Sequence, residues 1–199
     1  MFENEFVDKA KTGDLLIFRG FECPAKCQRF FTGSQYDHVA LLFKRNGILF
    51  VYESTSKDGC MVRRWRDFTD FMWNLLYDKM VYRELIINME EKQKLKYEEE
   101  LIENCDLFIK ETEKKKYTLS CCGGICCSKK KEFEKNNEWS KSDGFFCSQL
   151  VAAAYIKCNI LKYYKGTGNF LPGNFAQDQR LELHDNFSLG PEIIVEFSK

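Results

Sequence analysis

Asp37-His38-Val39-Ala40-Leu41-Leu42-Phe43-Lys44-Arg45-Asn46-Gly47-Ile48-Leu49-Phe50-Val51-Tyr52-Glu53 is the stretch on which the fold turns. Two apolar, β-prone runs flank Asn46-Gly47. Asn-Gly in that setting is the strongest short-range signal of a two-residue hairpin turn. The turn sets Arg45 opposite Ile48. Counting back, His38 falls opposite Thr55 and Glu53 opposite Ala40. His38 and Glu53 are then diagonal neighbours on one sheet face, within reach of each other's side chains. A carboxylate beside an imidazole fixes its tautomer and stabilises its protonated form.

Working outward, Asp14-Leu15-Leu16-Ile17-Phe18, between Gly13 and Gly20, reads as a buried strand. A loop with Cys23, Pro24 and Cys27 follows. Beyond the hairpin, Gly59-Cys60-Met61-Val62-Arg63 adds a third strand to the meander. Asp67 to Tyr77 predicts a helix with Phe68, Phe71, Met72 and Leu75 on one face, and Met80 to Ile87 a strand. Asn88, with Glu91 three residues on, reads as the capping box of a long helix reaching about residue 117. Leu95, Leu101, Ile102, Cys105, Phe108 and Ile109 are its apolar stripe. Residues 119 to 143 break the pattern and read as a Cys-rich, basic loop or insertion. A helix then runs from Phe146 to about Lys157. The class is α+β: one domain over residues 1–199, with a mainly antiparallel sheet packed on the Cys147 helix and a long amphipathic helix beside it.

Composition narrows the function. Lys plus Arg and Asp plus Glu number 30 each in 199 residues, so no global charge draws the chain to nucleic acid or a membrane. No apolar run approaches the ~20 residues of a membrane span, and Met1 to Ala10 lacks a signal-peptide core. The expectation is an intracellular, cytoplasmic protein. Its ten cysteines are then buried, reactive, metal-bound or modified, since a reducing compartment disfavours structural disulfides.

Cys147 opens Cys147-Ser148-Gln149-Leu150-Val151-Ala152-Ala153-Ala154-Tyr155. A cysteine in the first helical turn gains from the dipole and the free N–H groups, both of which favour the thiolate. The same amides can hold an oxyanion. Only two histidines are present. His184 lies near a predicted turn, so His38 is the candidate base.

Gly13-Asp14-Leu15-Leu16-Ile17-Phe18, Asp37-His38-Val39-Ala40-Leu41-Leu42, Tyr52-Glu53-Ser54 and Phe146-Cys147-Ser148-Gln149-Leu150-Val151 occur in this order. Together they resemble the circularly permuted NlpC-type papain-like cysteine hydrolases. The likeness is to the YiiX-like group, and more distantly to the lecithin:retinol acyltransferase family. Leu171-Pro172-Gly173-Asn174-Phe175 resembles the proline-containing segment after that group's cysteine helix. The resemblance implies Cys147 as nucleophile, His38 as base and Glu53 as the group that orients the histidine. It also implies a thioester intermediate and no cofactor or metal. Tyr117 resembles the family's tyrosine ahead of the cysteine helix, and with Phe146 and Ser148 it is a candidate substrate contact. The substrate would be a peptide, an isopeptide or a fatty-acyl group. The rival readings are a catalytically silent interaction module on the same fold and a lipid-binding protein that never turns over.

Cys121, Cys122, Cys126 and Cys127, followed by Lys129 to Lys131, depart from the family pattern. They read as an unmodified loop, as S-acylation sites with a basic patch that together hold the chain on a membrane, or as thiolates joined by Cys23 and Cys27 at a zinc ion. Lys129 to Lys131 is too short to argue for nucleic acid.

Overall fold

Asn46 and Gly47 both take positive φ, 51° and 76°, as a type I′ hairpin turn requires of its two central residues. The computed structural model describes residues 1–118 and 132–197. Its strands are β1 (Leu15–Gly20), β2 (His38–Arg45), β3 (Ile48–Thr55), β4 (Gly59–Arg64), β5 (Tyr77–Arg83), β6 (Leu85–Ile87), β7 (Lys116–Tyr117), β8 (Gly144–Phe145), β9 (Phe187–Leu189) and β10 (Ile193–Ile194). Its helices are α1 (Glu3–Lys9), α2 (Cys23–Thr32), α3 (Trp65–Asp70), α4 (Glu91–Thr112), α5 (Glu132–Lys135) and α6 (Cys147–Lys157). The architecture is mixed α+β around a six-stranded antiparallel sheet in the order β10-β5-β1-β2-β3-β4.

The hairpin has the register counted from its turn, with Arg45 opposite Ile48 and Leu41 opposite Tyr52. Strand alternation divides the interior in two. Leu15, Ile17, Val39 and Leu41 join Tyr52, Phe108, Leu150 and Val151 beneath α4 and α6. Leu16, Phe18, Ala40 and Leu42 join Phe6, Trp65 and Phe68 on the opposite face. Apolar cover on both sides explains why β1 and β2 are near-continuous apolar runs rather than alternating ones.

α6 is buried at every position from Cys147 to Ile156. Its small residues Ala152, Ala153 and Ala154 let it lie between the sheet and α4. A helix that is apolar all round belongs inside a protein.

The structure corrects the sequence reading at several places. The helix expected over 67–77 stops at Asp70, because Met72 takes a left-handed conformation (φ 55°). Phe68 is buried, but Phe71, Met72 and Leu75 project into solvent. The strand expected over 80–87 is two strands in different sheets, β5 beside β1 and β6 beside β9. α4 begins at Glu91 with Glu90 as its cap. Asn88 instead pairs its backbone N–H with the Asn186 carbonyl. The α4 stripe buries Leu101, Cys105, Phe108, Ile109 and Thr112 and leaves Leu95 exposed. Within the expected loop, three residues anchor the chain to the interior: Trp139 is fully buried, and Glu134 and Ser142 nearly so. Among the described residues, no helix is long and apolar enough to cross a membrane.

Candidate active site

His38 is the first residue of β2 and lies opposite Phe18 of β1. Its Nε2 is 2.8 Å from Oε2 of Glu53, as the diagonal hairpin register requires. Glu53 is almost wholly buried, and its second oxygen lies 3.4 Å from Nε of Arg63. Arg63 also donates to Asp58 at 2.6 Å. Two rings clamp the imidazole: Tyr77 stacks on it at 9° and 6.2 Å, and Phe18 lies 5.2 Å away. The histidine therefore has little rotational freedom.

Cys147 reaches this point from the other side of the sheet, as the first residue of α6. Phe146 precedes it in extended conformation (ψ 169°) with no side-chain cap, so the N–H groups of the first turn have no partner within the helix. The Cys147 Sγ lies 4.0 Å from the Asp37 carbonyl, and Cys147 and His38 line the same cleft. Glu53 occupies Nε2, which leaves Nδ1 as the ring nitrogen that faces the sulfur. Burial works against a charged His38. The negative charge of Cys147, its hydrogen bond and Glu53 outweigh that cost and raise His38 to about 10.

The three elements are held in register by several bonds. The Asp37 carboxylate accepts the Gly20 N–H at 2.9 Å and pairs with Arg29, which ties the end of β1 to α2. Gln28 of α2 donates Nε2 to the Asp37 carbonyl at 3.1 Å, the same oxygen that faces Cys147. The first turn of α6 is braced from behind. Ser148 donates to Phe170 O at 2.7 Å, and Gln149 reaches Thr167, which is itself held by Glu134.

The cleft over Cys147 and His38 encloses about 230 Å³, with Tyr117, Tyr77 and Gln28 among its walls. Tyr117 comes to it through the parallel pair β7–β8, where it faces Phe145. That pairing needs Gly144, because a Cβ there would sit 2.2 Å from the Lys116 carbonyl. The structure thus brings Cys147, His38, Glu53 and Tyr117 together. It does not bring Phe146 or Ser148 to the cleft wall. Both are buried, and the Ser148 hydroxyl is turned to Phe170.

Gln28, Asp37, Tyr77 and Arg63 had not been singled out from the sequence. Asp37 adjoins His38 and was the most accessible of the four to such a reading. The other three lie on separate elements and carry no spacing signal. Cys121, Cys122, Cys126 and Cys127 lie outside the described residues. Phe21, Phe30 and Phe31 are exposed, whereas Phe145 is core.

No family model matches the chain, and no curated protein matches it. Among solved structures it is similar to the crystal structure of metalloprotein yiiX from Escherichia coli O157:H7, with TM-score 0.52 and 15% identity, over 93% of this chain and 98% of that one. The chain has a yiiX-like fold. At that identity the likeness speaks for the fold alone. The yiiX structure is titled a metalloprotein. Among the described residues of this chain, no three His, Cys, Asp or Glu side chains are grouped to hold a metal ion. Glu53 is bound to Nε2 of His38, and His38 shares its cleft with Cys147.

Proposed function

We propose that this chain is a papain-like thiol hydrolase or acyltransferase of permuted order, His38, Glu53, Cys147, that opens an amide or ester bond through a thioester. One observation supports it above the rest: Glu53 holds His38 by Nε2 at 2.8 Å while Cys147, at the start of α6, lines the same cleft as that ring. Nucleophile, base and orienting group in contact are the general signature of an activated nucleophile.

The chemistry follows from the positions. The Cys147 thiol gives its proton to His38 Nδ1, and Glu53 stabilises the imidazolium that results. The thiolate attacks the substrate carbonyl carbon, and the carbonyl π electrons move to oxygen. The backbone N–H of Cys147 and the second Nε2 hydrogen of Gln28, both residues of the cleft wall, are the donors assigned to that oxygen. As the tetrahedral adduct collapses, the C–N or C–O bond breaks, and the leaving group takes the proton from His38. Water or another acceptor then gives its proton to His38, attacks the thioester and releases the Cys147 thiolate.

Turnover of acyl-ester, thioester and peptide panels by the chain and by Cys147→Ala tests the reading. Hydrolysis or acyl transfer by the chain, with a trapped acyl-enzyme on Cys147 and none in the variant, is the expected result. Equal activity in the variant would end the proposal.

A further inference from the structure

A second cavity lies far from Cys147. It opens between α4, β6 and the segment before β1, at the end of β1 opposite to Gly20 and the cleft. It encloses about 390 Å³, within the range of small-molecule sites. Leu85, Leu101 and Ile102 make an apolar floor. Leu85 and Leu101 are nearly sealed from solvent and Ile102 is 37% exposed, so the floor is preformed and its edge is open.

The rim is lysine-rich. Lys11, Lys44 and Lys94 face Glu84 and Glu98 across it. Glu84 is paired with Lys9 at 3.1 Å, and Lys44 is spent on the carbonyls of Val7 and Asp8. Among the described residues, Lys11 and Lys94 have no carboxylate within ion-pair distance. The pocket thus combines an apolar floor with two ammonium groups, Lys11 and Lys94, and one carboxylate, Glu98, outside any ion pair among the described residues, so its mouth keeps a net positive charge. Its walls are also fixed: the buried Asp14 carboxylate accepts the N–H of Lys11 at 2.7 Å and that of Leu85 at 2.8 Å, so one side chain staples the two sides.

We infer that this cavity is a binding site for a small anionic amphiphile, a medium-chain carboxylate whose alkyl chain covers Leu85, Leu101 and Ile102 while its head group meets Lys11 and Lys94. At the ~30 Å³ that one water takes up in the liquid, the volume holds on the order of a dozen heavy atoms, which is the size of decanoate. A cationic amphiphile of equal length would meet like charge at the mouth. The site stands apart from the thiol cleft and does not depend on the reading given for it.

Calorimetric titration of the full chain with decanoate, below its micelle concentration, tests the site. Decyltrimethylammonium is the charge control, and the titration is repeated on Cys147→Ala so that turnover plays no part. The expected result is saturable one-to-one binding of decanoate, unchanged in Cys147→Ala and at least tenfold weaker for the cation. Lys94→Glu should weaken decanoate about tenfold, and Ile102→Glu, at a partly exposed position, should abolish it. No saturable binding would overturn the assignment. So would equal affinity for the cation, or binding that survives both variants and so resides elsewhere, for example on the exposed Phe30 and Phe31.

Discussion

His38 Nε2 meets Glu53 Oε2 at 2.8 Å across adjacent strands, and the pair exists because a two-residue turn, eight residues after His38 and six before Glu53, fixes the register. The carboxylate is buried and is shared with Arg63. Its effect falls on the imidazole, which it orients and helps to charge.

Glu53→Gln keeps the shape of that contact and removes its charge. The amide can hold His38 in the wrong tautomer, the fault that makes such replacements costly in other triads. The rate of Cys147 alkylation near neutral pH should fall by on the order of 100-fold, with the far-ultraviolet circular dichroism unchanged. A rate within twofold of the parent would remove Glu53 from the site.

Because His38 is raised to about 10, the imidazolium should persist well above neutrality. The sign follows from linkage. The stabilisation it brings is fully present below the ordinary histidine value, ~6.5, and is lost as pH rises through about 10. The alkaline limb of kcat/KM, and a matching drop in unfolding free energy, should both fall near that pH. A limb near 6 to 7 would mean that the charged pair does not form.

Gln28→Ala removes the side-chain donor beside the Asp37 carbonyl but no core packing. If its amide faces the oxyanion, kcat should drop by on the order of 100-fold, while Cys147 alkylation, which develops no oxyanion, should stay within a fewfold. Equal loss in both assays would mean that Gln28 only shapes the loop.

Gly144→Ala places a methyl 2.2 Å from the Lys116 carbonyl, so β7 must shift and carry Tyr117 with it. Urea unfolding should show a loss of about 1–3 kcal/mol, the usual cost of overpacking. Full stability would mean that the β7–β8 contact is looser than it appears in the structure.

Much of this site was legible because hairpin arithmetic is local. Asn46-Gly47 states its own register, and His38 and Glu53 followed by counting. Cys147 stood out because it opens a helix, where the dipole and free N–H groups favour a thiolate. What sequence periodicity does not encode is tertiary. Met72 breaks a helix that the spacing of Phe68, Phe71 and Leu75 seems to continue. Leu85 leaves the main sheet although nothing in Met80 to Ile87 marks the change. Trp139 and Glu134 are buried from a stretch whose neighbours are cysteines and lysines, because the partners of Glu134 lie more than thirty residues ahead at Thr167. Gln28 and Tyr77 reach the cleft from separate elements, and only the assembled sheet brings them together.

Competitive thiol labelling tests the central claim most directly. The chain is treated near neutral pH with a limiting amount of a small alkylator, and the modified cysteines are mapped by mass spectrometry. Cys23 and Cys27 are exposed, whereas Cys147 is only 3% exposed, so accessibility alone favours the former. A hydrogen bond to Cys23 raises the Cys27 thiol and slows it. An activated Cys147 beside His38 should be modified ahead of both, and His38→Ala should abolish that preference. Labelling confined to the exposed cysteines, with Cys147 inert in the parent chain, would contradict the assignment of a thiolate–imidazolium pair and leave the fold as a scaffold.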